Sequence, residues 1–359
     1  MSEKQLAGLR PEQFGPLLPF VENDQITDIN WANGQLIVDD VKKGRYLVEN
    51  VHLTDEFLNQ FSSHVGNIPS VNANLTSVNP VVEAEGNGLR IEIVHESAAV
   101  NGKTISIRKS LPYAKLTDES IIKDGYCTKE IQYFLKSMVL AQVNIAIAGL
   151  VGAGKTELLK YLTLTIPAMT RVVTIEDNLE VHYSKLNPGK DCVELKVNPS
   201  FGYVDALVTC LRLRTDWILL SEARSTEAKY LIENISTGNN CITTLHADDA
   251  RKIPVRLRNM MDDPIIGEKM ESDTYSYLNL GIYVRRKMLA DGRIIRRIEQ
   301  IVCFGKNQED RNVCQLIVND GKLISRDLTE EIEKKLKRVG IQNPFKNPYP
   351  QMEEFMRKE

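Results

Sequence analysis

Short alternating patterns of hydrophobic and polar residues dominate the first 110 residues of the chain. Arg90–Val94 and Thr104–Arg108 alternate in this way, and Gln35–Val38 is a further short strand-like run; such runs are typical of β-strands. Asn-Gly pairs at 33–34 and 101–102 predict tight turns. A helical pattern at 54–65 interrupts the strands. We therefore expect a compact α+β domain over residues 1–110.

The pattern changes after this domain. Residues 111–127 contain Pro112, Gly125 and many polar residues, so we interpret them as a linker and a hinge. From residue 128 onwards, helical and strand-like segments alternate repeatedly, which predicts a doubly wound α/β domain over 128–359. Its tail is expected to be helical over Thr329–Arg338 and loose over the Pro-rich Asn343–Pro350.

The sequence Gly-Leu-Val-Gly-Ala-Gly-Lys-Thr at 149–156 is a complete G-x-x-x-x-G-K-[ST] phosphate loop. The mostly apolar Val143–Ala148 before it predicts a buried strand, and Glu157–Thr165 after it predicts a helix. In that context the backbone amides converge on phosphate oxygens at the positive end of the helix. Lys155 is expected to neutralise the β- and γ-phosphates, and the Thr156 hydroxyl to ligate Mg²⁺. The predicted nucleotide-binding residues of this segment are Gly149, Gly152, Ala153, Gly154, Lys155, Thr156 and Glu157.

Three further predicted strands end in residues that carry chemistry. Arg171–Ile175 is followed by Glu176 and Asp177, Asp216–Leu220 by Ser221 and Glu222, and Cys241–Leu245 by His246. Ligands of a parallel α/β sheet sit at the carboxyl ends of its strands. We therefore expect Glu176, Glu222 and His246 to gather on the same edge as the phosphate loop.

Hydrolysis of a γ-phosphate needs a held Mg²⁺, an oriented water and cations that face the transferring group. Glu222 suits the polarisation of water or the holding of metal-bound water, and Glu176 or Asp177 would supply a second carboxylate. His246 would sense the γ-phosphate or tie the sheet to a neighbouring subunit. The predicted catalytic residues are Glu222, Glu176, Lys155 and His246, and the predicted metal ligands are Thr156, Glu176 and Glu222. The alternative for each strand-end residue is an ordinary solvated cap or a satisfied polar contact.

Composition narrows the function classes. The 359-residue chain is 42% hydrophobic, with a net charge of −3 and a pI of about 6.1, which argues against nucleic-acid binding through overall positive charge. Its six cysteines include no C-x-x-C pair, which argues against a disulfide framework or a zinc ribbon and suggests a reducing compartment. The N-terminus lacks the apolar core of a signal peptide, and no apolar window approaches about 18 residues. We expect a cytoplasmic protein, peripheral at the cytoplasmic membrane.

The ordered set of motifs resembles the type II/type IV secretion ATPases, in particular the branch that serves Flp-type pili and VirB-type conjugation. The resemblance covers about residues 15–305. Leu18-Pro19-Phe20 followed by Ile26-Thr27-Asp28-Ile29 is similar to the start of the family's N-terminal domain. The other segments that carry it are the phosphate loop, Thr-Ile-Glu-Asp at 174–177, Leu-Arg-Leu-Arg-Thr-Asp at 211–216, Ser-Glu-Ala-Arg at 221–224 and Thr-Thr-Leu-His-Ala at 243–247.

The resemblance implies a RecA-like P-loop ATPase domain preceded by a smaller, PAS-like α+β domain. It implies ATP and Mg²⁺ as cofactors, a homohexameric ring, and partners among the membrane components of a secretion or pilus machine. Glu176 corresponds to the acidic box of the family, Glu222 to its Walker B motif and His246 to its histidine box. Arg90 and Arg108 correspond to arginines that reach the phosphates from the N-terminal domain; the alternative for both is a solvated strand position.

Three positions depart from the family pattern. Ser221 stands where the Walker B motif usually has glycine, and Thr215 stands where proline is usual. The histidine box usually opens with Gly-His, whereas this chain has Gly-Asn-Asn-Cys at 238–241. One family histidine is therefore missing, while the loop lysine and both carboxylates remain.

Three function hypotheses follow. The leading one is an ATPase that powers a secretion, conjugation or pilus machine. The second is a RecA-like nucleic-acid motor, suggested by basic residues but opposed by an aromatic content of only 6%. The third is a regulatory pseudo-ATPase that binds ATP without turnover, motivated by Ser221 and the missing histidine. We expect no direct nucleic-acid binding. The basic cluster comprises Arg285, Arg286, Lys287, Arg293, Arg296 and Arg297.

Overall fold

A computed structural model describes residues 7–41, 43–86, 88–289 and 294–357. The chain divides into two units. The first contains the described residues up to Pro112, the segment Asn178–Glu180 and the described ends of Met288–Ile294, and the second contains the remainder.

The first unit is built on a six-stranded sheet with the strand order β3-β2-β1-β6-β5-β4. Every pair of neighbouring strands in it is antiparallel. A short 3₁₀ segment at Pro11–Leu17 precedes the first helix. The helices are α1 (Leu18–Glu22) and α2 (Asp55–Gly66), and the strands are β1 (Ile26–Ala32), β2 (Gln35–Asp40), β3 (Gly44–Leu47), β4 (Val81–Gly86), β5 (Leu89–Val94) and β6 (Thr104–Lys109).

Local sequence accounts for these elements. Asn33 and Gly34 both have positive φ (51° and 71°), as the two-residue β1–β2 hairpin requires. The Thr54 hydroxyl caps α2 by accepting a hydrogen bond from the Phe57 amide at 3.2 Å. The alternating apolar residues of the strands, among them Ile91 and Ile107, are fully buried in one core. The strands therefore have one buried and one polar face.

The polar face carries a row of charged residues across all six strands, which we call the sheet-face row. Directly opposite positions share a face of the sheet, so strand register places these side chains side by side. Within the same unit, the Leu179 amide donates to Glu85 Oε1 at 3.2 Å, and Arg108 pairs with Glu180 at 3.5 Å. The row consists of Glu85, Arg90, Arg108, Asp28, Asp39 and Arg45.

The second unit is built on a nine-stranded sheet with helices on both faces. Its helices are α3 (Ser120–Lys123), α4 (Lys129–Leu140), α5 (Lys155–Thr163), α6 (Tyr183–Leu186), α7 (Tyr203–Cys210), α8 (Glu227–Ser236), α9 (Ile253–Arg258), α10 (Pro264–Tyr277), α11 (Glu330–Arg338) and α12 (Pro348–Met356). Its strands are β7 (Ile145–Ala148), β8 (Val172–Glu176), β9 (Cys192–Lys196), β10 (Trp217–Leu220), β11 (Asn240–Leu245), β12 (Leu280–Met288), β13 (Ile294–Lys306), β14 (Asn312–Asn319) and β15 (Lys322–Leu323).

The strand order of this sheet is β15-β14-β13-β12-β7-β11-β10-β8-β9. The strands from β12 to β9 in this order are parallel, whereas β13, β14 and β15 extend the sheet with antiparallel pairs. Alternate residues of the central strands enter two separate cores, so that Ile147 and Leu219 lie in one and Ala146 and Leu220 in the other. Burial on both faces explains why these strands are continuous apolar runs in the sequence.

The C-terminal tail differs from the sequence-based expectation. The predicted charged helix is present as α11, but the Pro-rich segment after it is not loose. The ring of Phe345 stacks on that of Phe134 in α4 at a centroid distance of 5.0 Å. The Ser137 hydroxyl also donates to the Pro344 carbonyl oxygen at 3.0 Å. The tail is therefore a packed part of the second unit, and α12 follows it.

The segment expected to be a linker also differs. From Tyr113 onwards it belongs to the second unit, and it contains the short helix α3. Leu116, Ile121, Tyr126 and Cys127 of this segment are buried in the core on one face of the large sheet. The polar composition of the segment did not reveal this, because a few well-spaced apolar residues suffice to anchor a short segment. In the part of the chain that the structure describes, no helix is long and apolar enough to cross a membrane.

Candidate active site

The phosphate loop connects β7 to α5, as the sequence predicts. Gly152 and Gly154 have φ values of +72° and +92°, a left-handed backbone that side chains disfavour. At Gly149, a Cβ atom would meet the Val284 carbonyl oxygen at 2.8 Å, so a larger residue has no room there. Gly154 is the N-cap of α5, and Lys155 is its first residue. The loop therefore has the glycine-dependent conformation in which amides at a helix N-terminus bind phosphate.

The predicted residues of this segment lie in different surroundings. Lys155 Nζ donates to the Gly149 carbonyl oxygen at 3.0 Å and lies 3.3 Å from His246 Nδ1. Thr156 is half-buried in the first turn of α5, and Ala153 is almost fully buried. Glu157 accepts a hydrogen bond from the Lys115 amide at 3.0 Å, which ties the start of α5 to the preceding segment.

A chain of alternating charged and polar groups continues from Lys155 across the strand ends. His246 Nε2 lies 2.9 Å from Glu222 Oε1, and Arg224 Nη2 donates to Glu222 Oε2 at 3.0 Å. Arg224 Nη1 donates to Asp177 Oδ2 at 2.7 Å. We call Lys155, His246, Glu222, Arg224 and Asp177 the strand-end chain. It places Glu222 and His246, two of the three strand-end residues expected at this edge, beside the loop lysine.

The hydrogen-bond roles of the two His246 nitrogens depend on the tautomer of the ring. With its proton on Nε2 the ring donates to Glu222 and accepts from Lys155 at Nδ1. With its proton on Nδ1 the ring instead donates to the Gly149 carbonyl oxygen, which lies 3.2 Å away.

Backbone pairing positions the members of the chain. Leu220 at the end of β10 lies opposite Ile175 of β8 and Thr243 of β11, which brings the three strand ends together. The Thr244 hydroxyl donates to the Ser221 carbonyl oxygen at 2.6 Å, and the Ala223 amide donates to the Thr244 carbonyl oxygen at 2.8 Å. These bonds flank Glu222 and fix the direction of its side chain.

Ion pairing also shifts pKa values at the Arg224–Asp177 end of the strand-end chain. Burial by itself lowers the pKa of Arg224, but hydrogen bonds and charges from Glu222 and Asp177 outweigh it and raise that pKa. Burial, together with the nearby charge of Asp177, raises the pKa of Tyr203 to about 12. Arg224 is thus charged and Tyr203 neutral throughout the physiological range.

Glu176 is held differently from Asp177. It is 1% exposed, and its Oε1 accepts a hydrogen bond from the Val181 amide at 3.0 Å. The sequence left Glu176 and Asp177 as alternatives for the second carboxylate, and Asp177 is the one joined to Glu222 through Arg224. The role of Glu176 as a metal ligand stays a prediction.

Arg90 and Arg108 lie in the first unit, directly opposite each other on β5 and β6. Arg90 pairs with Glu83 at 2.6 Å and Arg108 with Glu180 at 3.5 Å. They are thus neighbours on one face, as a shared role would require. Their predicted contact with nucleotide stays a prediction.

The basic cluster separates into two faces of its strands. Arg285 and Arg297 both donate to Glu299, at 2.9 and 2.7 Å. Burial by itself raises the pKa of Glu299, but the hydrogen bonds from these arginines outweigh it and hold that pKa below its usual range. On the other face, Arg296 Nε donates to the Gly152 carbonyl oxygen at 2.9 Å. Arg293 lies outside the described residues.

Sequence analysis did not assign roles to Arg224, Arg296 or Thr244. The position of Arg224, two residues after the strand-end Glu222, is a usable signal, because side chains two apart on an extended segment point to the same side. The same alternation separates Arg296 from Arg297 within the cluster. Neither signal names the partner, which depends on how the strands pair.

The residues present fit a nucleotide polyphosphate with Mg²⁺. The left-handed glycines and the helix N-terminus form an anion cradle, and Lys155 lies at its edge. Thr156, Glu222 and Asp177 offer the oxygen ligands that Mg²⁺ prefers. Among the described residues, no three His, Cys, Asp or Glu side chains form a cluster that could hold a metal ion.

A family model described as type II/IV secretion system protein matches residues 81–272, just over half of the chain. The chain belongs to the type II/IV secretion system protein family. The matched region includes the phosphate loop and the strand-end chain, so the resemblance that the ordered motifs predicted is confirmed.

Individual relatives support this assignment. The chain is 26% identical over 337 residues to an uncharacterized protein of Bacillus anthracis, with 89% of this chain and 74% of that protein covered. It is 39% identical over 142 residues to the type IV secretion system protein VirB11 of Bartonella henselae, a match that spans 38% of this chain and 39% of that protein.

Solved structures show the fold. The ATPase DotB of Yersinia pseudotuberculosis superimposes with a TM-score of 0.63 at 13% identity, covering 100% of this chain and 88% of that chain. The expected fold class, an α/β RecA-like domain preceded by a smaller α+β domain, is confirmed.

Proposed function

We propose that this protein binds ATP at the phosphate loop and hydrolyses it, with Glu222 orienting the attacking water. The observation that carries the proposal is the strand-end chain, which joins the loop lysine to a strand-end carboxylate through His246. Membership in a family of secretion ATPases supports ATP hydrolysis in general.

Each member of the chain has a distinct part in this proposal. Lys155 faces the β- and γ-phosphates and leaves its contacts with Gly149 and His246 to do so. Glu222 accepts a proton from the attacking water or polarises it, and Arg224 and His246 hold both of its oxygens in place. Fixed donors that orient a carboxylate need no rearrangement at the moment of reaction.

Mg²⁺ would be held by Thr156 together with Glu222 and Glu176 or Asp177. When bound, it neutralises charge that develops on the phosphate oxygens. The remaining nucleotide contacts come from the backbone at Gly149, Gly152, Ala153 and Gly154. Glu157, which accepts the Lys115 amide, supports the first turn of α5 rather than the phosphates.

In the cell, hydrolysis would power a type II/IV secretion, conjugation or Flp-type pilus machine from the cytoplasmic face of the membrane. The family assignment supports this role. The nucleic-acid motor finds less support, because Arg285 and Arg297 of the basic cluster are paired with Glu299 and Arg296 contacts the phosphate loop.

Phosphate release from ATP and Mg²⁺, measured beside nucleotide affinity, tests the proposal. Glu222→Gln keeps the shape of the side chain and removes its charge, so affinity should persist while turnover falls at least about 100-fold. Lys155→Ala removes the cation that faces the phosphates, so affinity and turnover should both fall. Glu130→Gln is a matched control, since Glu130 forms an exposed pair with Arg326 at 2.6 Å.

The outcomes separate the three hypotheses. Wild-type turnover by Glu222→Gln would contradict the Walker B assignment. A wild-type chain that binds ATP without releasing phosphate would be the pseudo-ATPase. Turnover that rises strongly with single-stranded DNA would identify the nucleic-acid motor.

We also propose a homohexameric ring stabilised by nucleotide, with membrane components of the machine as partners. The motivation is the family resemblance and the placement of Arg90 and Arg108 in a separate unit. A ligand that binds only the assembled state favours that state by mass action. Light scattering with a non-hydrolysable ATP analogue should show a mass near six protomers. A strictly monomeric mass at micromolar protein would contradict the ring.

A further inference from the structure

The phosphate loop lies against β12 and β13, the two strands next to β7 on one side of the sheet. β12 runs parallel to β7, and Tyr283 pairs with Ala148 at the end of β7. β12 continues past this point, and its Val284 carbonyl oxygen approaches Gly149 so closely that a Cβ there would meet it at 2.8 Å. One side of the loop is therefore covered by β12 and its neighbour β13.

Arg296 of β13 makes the specific contact to the loop. Its Nε donates to the Gly152 carbonyl oxygen at 2.9 Å. Its Cδ lies 3.2 Å from the position that a Cβ on Gly154 would occupy. One side chain thus binds a carbonyl in the middle of the loop and packs over the last glycine before Lys155.

The base of Arg296 is firmly held. Two residues further along β13, the amide of Ile298 donates to the Tyr126 carbonyl oxygen at 2.9 Å. Ile298 is fully buried, and Tyr126 is 4% exposed. The Tyr126 hydroxyl lies 4.0 Å from the same Gly154 position. Arg296 therefore reaches the loop from an anchored strand.

The neighbouring arginine gives an internal comparison. Arg297 is next in sequence but turns to the other face of the strand, where it pairs with Glu299 at 2.7 Å and with Asp320 at 3.8 Å. The two residues share a strand and a charge, and Arg296 alone of the pair bonds the loop.

We propose that Arg296 is a positioning residue that holds the phosphate loop in its binding conformation before nucleotide arrives. This inference rests on the proposed function, because it concerns nucleotide affinity at that loop. A guanidinium on a carbonyl is a charge-assisted hydrogen bond, which is stronger than one between neutral groups. A loop that is already ordered loses less conformational freedom on binding. Arg296 therefore acts through the loop backbone and contributes equally to ATP and ADP.

Calorimetric titration of the full-length chain with ATP and with ADP tests this, alongside phosphate release. Arg296→Ala should raise the Kd for both nucleotides by a similar factor, about tenfold. At saturating ATP, kcat should stay within about twofold of wild type, because the loop still closes on bound phosphate. Arg296→Lys keeps a donor for the carbonyl and should recover part of the affinity. Arg297→Ala is the matched control and should bind like wild type.

Three results would overturn the inference while leaving the proposed function standing. The first is wild-type affinity in Arg296→Ala. The second is a loss of ATP affinity without a loss of ADP affinity, which would place the guanidinium on the γ-phosphate. The third is an equal loss in Arg297→Ala, accompanied by an equal drop in unfolding temperature. A wild-type chain that binds neither nucleotide would overturn the proposed function and this inference with it.

Discussion

The sheet-face row and the strand-end chain both bring charged side chains together, but they are built in different ways. The row follows strand register across an antiparallel sheet, and its arginines are open to solvent, with Arg108 58% and Arg45 55% exposed. The chain forms where parallel strands stop, and Glu222 at its centre is 17% exposed. Strand register alone is enough to align the charged residues of the row. The strand-end chain also needs the loops after the strands, because they direct its side chains toward Glu222.

The difference predicts different consequences of mutation. Exposed ion pairs contribute about 0–1 kcal/mol to stability, because water screens them and both side chains lose freedom. In the strand-end chain, both carboxylate oxygens of Glu222 are held, one by Arg224 and the other by His246. We expect substitutions in the strand-end chain to alter catalysis far more than stability. Substitutions in the sheet-face row should do little to either, unless the substituted residue contacts nucleotide.

Among the substitutions that test this contrast between the row and the strand-end chain, Arg224→Ala is expected to have the largest effect on turnover. Arg224→Ala removes the donor to Glu222 Oε2 and the bridge to Asp177, so the carboxylate keeps only its contact with His246. Turnover should fall about tenfold or more, because an unfixed carboxylate orients water poorly. ATP affinity, which Lys155 and the loop amides dominate, should change less. Steady-state phosphate release and nucleotide titration measure the two quantities.

Arg326→Ala is the control for this experiment, since Arg326 forms an exposed pair with Glu130 and lies in no proposed site. Arg224→Lys restores a positive charge, but the lysine ammonium lacks the planar guanidinium that bonds Glu222 and Asp177 at the same time. Partial recovery of turnover is therefore expected. Equal turnover in Arg224→Ala and wild type would show that the bridge to Asp177 is only structural.

A smaller effect is expected at Arg108, a member of the row that the family resemblance links to phosphates. Arg108→Ala should lower turnover by severalfold and change the free energy of unfolding by less than about 1 kcal/mol. If Arg108 contacts nucleotide only in a closed state, ATP would favour that state. Hydrogen exchange over 111–127 should then slow with an ATP analogue in wild type and slow less in the variant.

Within that segment the slowing should concentrate before Leu116, because Leu116, Ile121 and Tyr126 anchor the rest in the core. Arg45→Ala is a suitable control, since Arg45 belongs to the same row and pairs with Asp39 rather than with a residue predicted to contact nucleotide. Unchanged exchange over 111–127, with nucleotide demonstrably bound, would remove the basis for a hinge.

The large sheet and its phosphate loop were predictable from the sequence for a physical reason. Strands buried on both faces must be apolar runs, and the runs at 143–148 and 216–220 correspond to β7 and β10. Gly152 and Gly154 are also dictated locally, by their positive φ. Local rules therefore gave both the scaffold and the position of the cradle.

The parts that could not be predicted depend on residues far apart in the chain. Phe345 packs on Phe134 more than two hundred positions away, so a Pro-rich composition suggested a loose segment. Arg224 finds Asp177 only because β10 pairs with β8. The same holds for Arg296, whose partner lies on a different strand's loop. Partner identity is thus a property of the assembled sheet.

The smallest effect is expected at Arg45, at the far end of the row. Its guanidinium lies 3.1 Å from Asp39, which faces Asp28 on the next strand. Arg45→Ala removes the cation beside two neighbouring carboxylates, so unit 1 should lose about 0.2–1 kcal/mol of stability at low salt. Urea unfolding followed by fluorescence measures this if Trp217 is first changed to phenylalanine, because the chain has two tryptophans and Trp31 lies in unit 1. The loss should vanish near 1 M NaCl, where the Debye length is about 3 Å. A salt-independent loss above about 2 kcal/mol would mean that the row supports the sheet by packing, and turnover should be unaffected in either case.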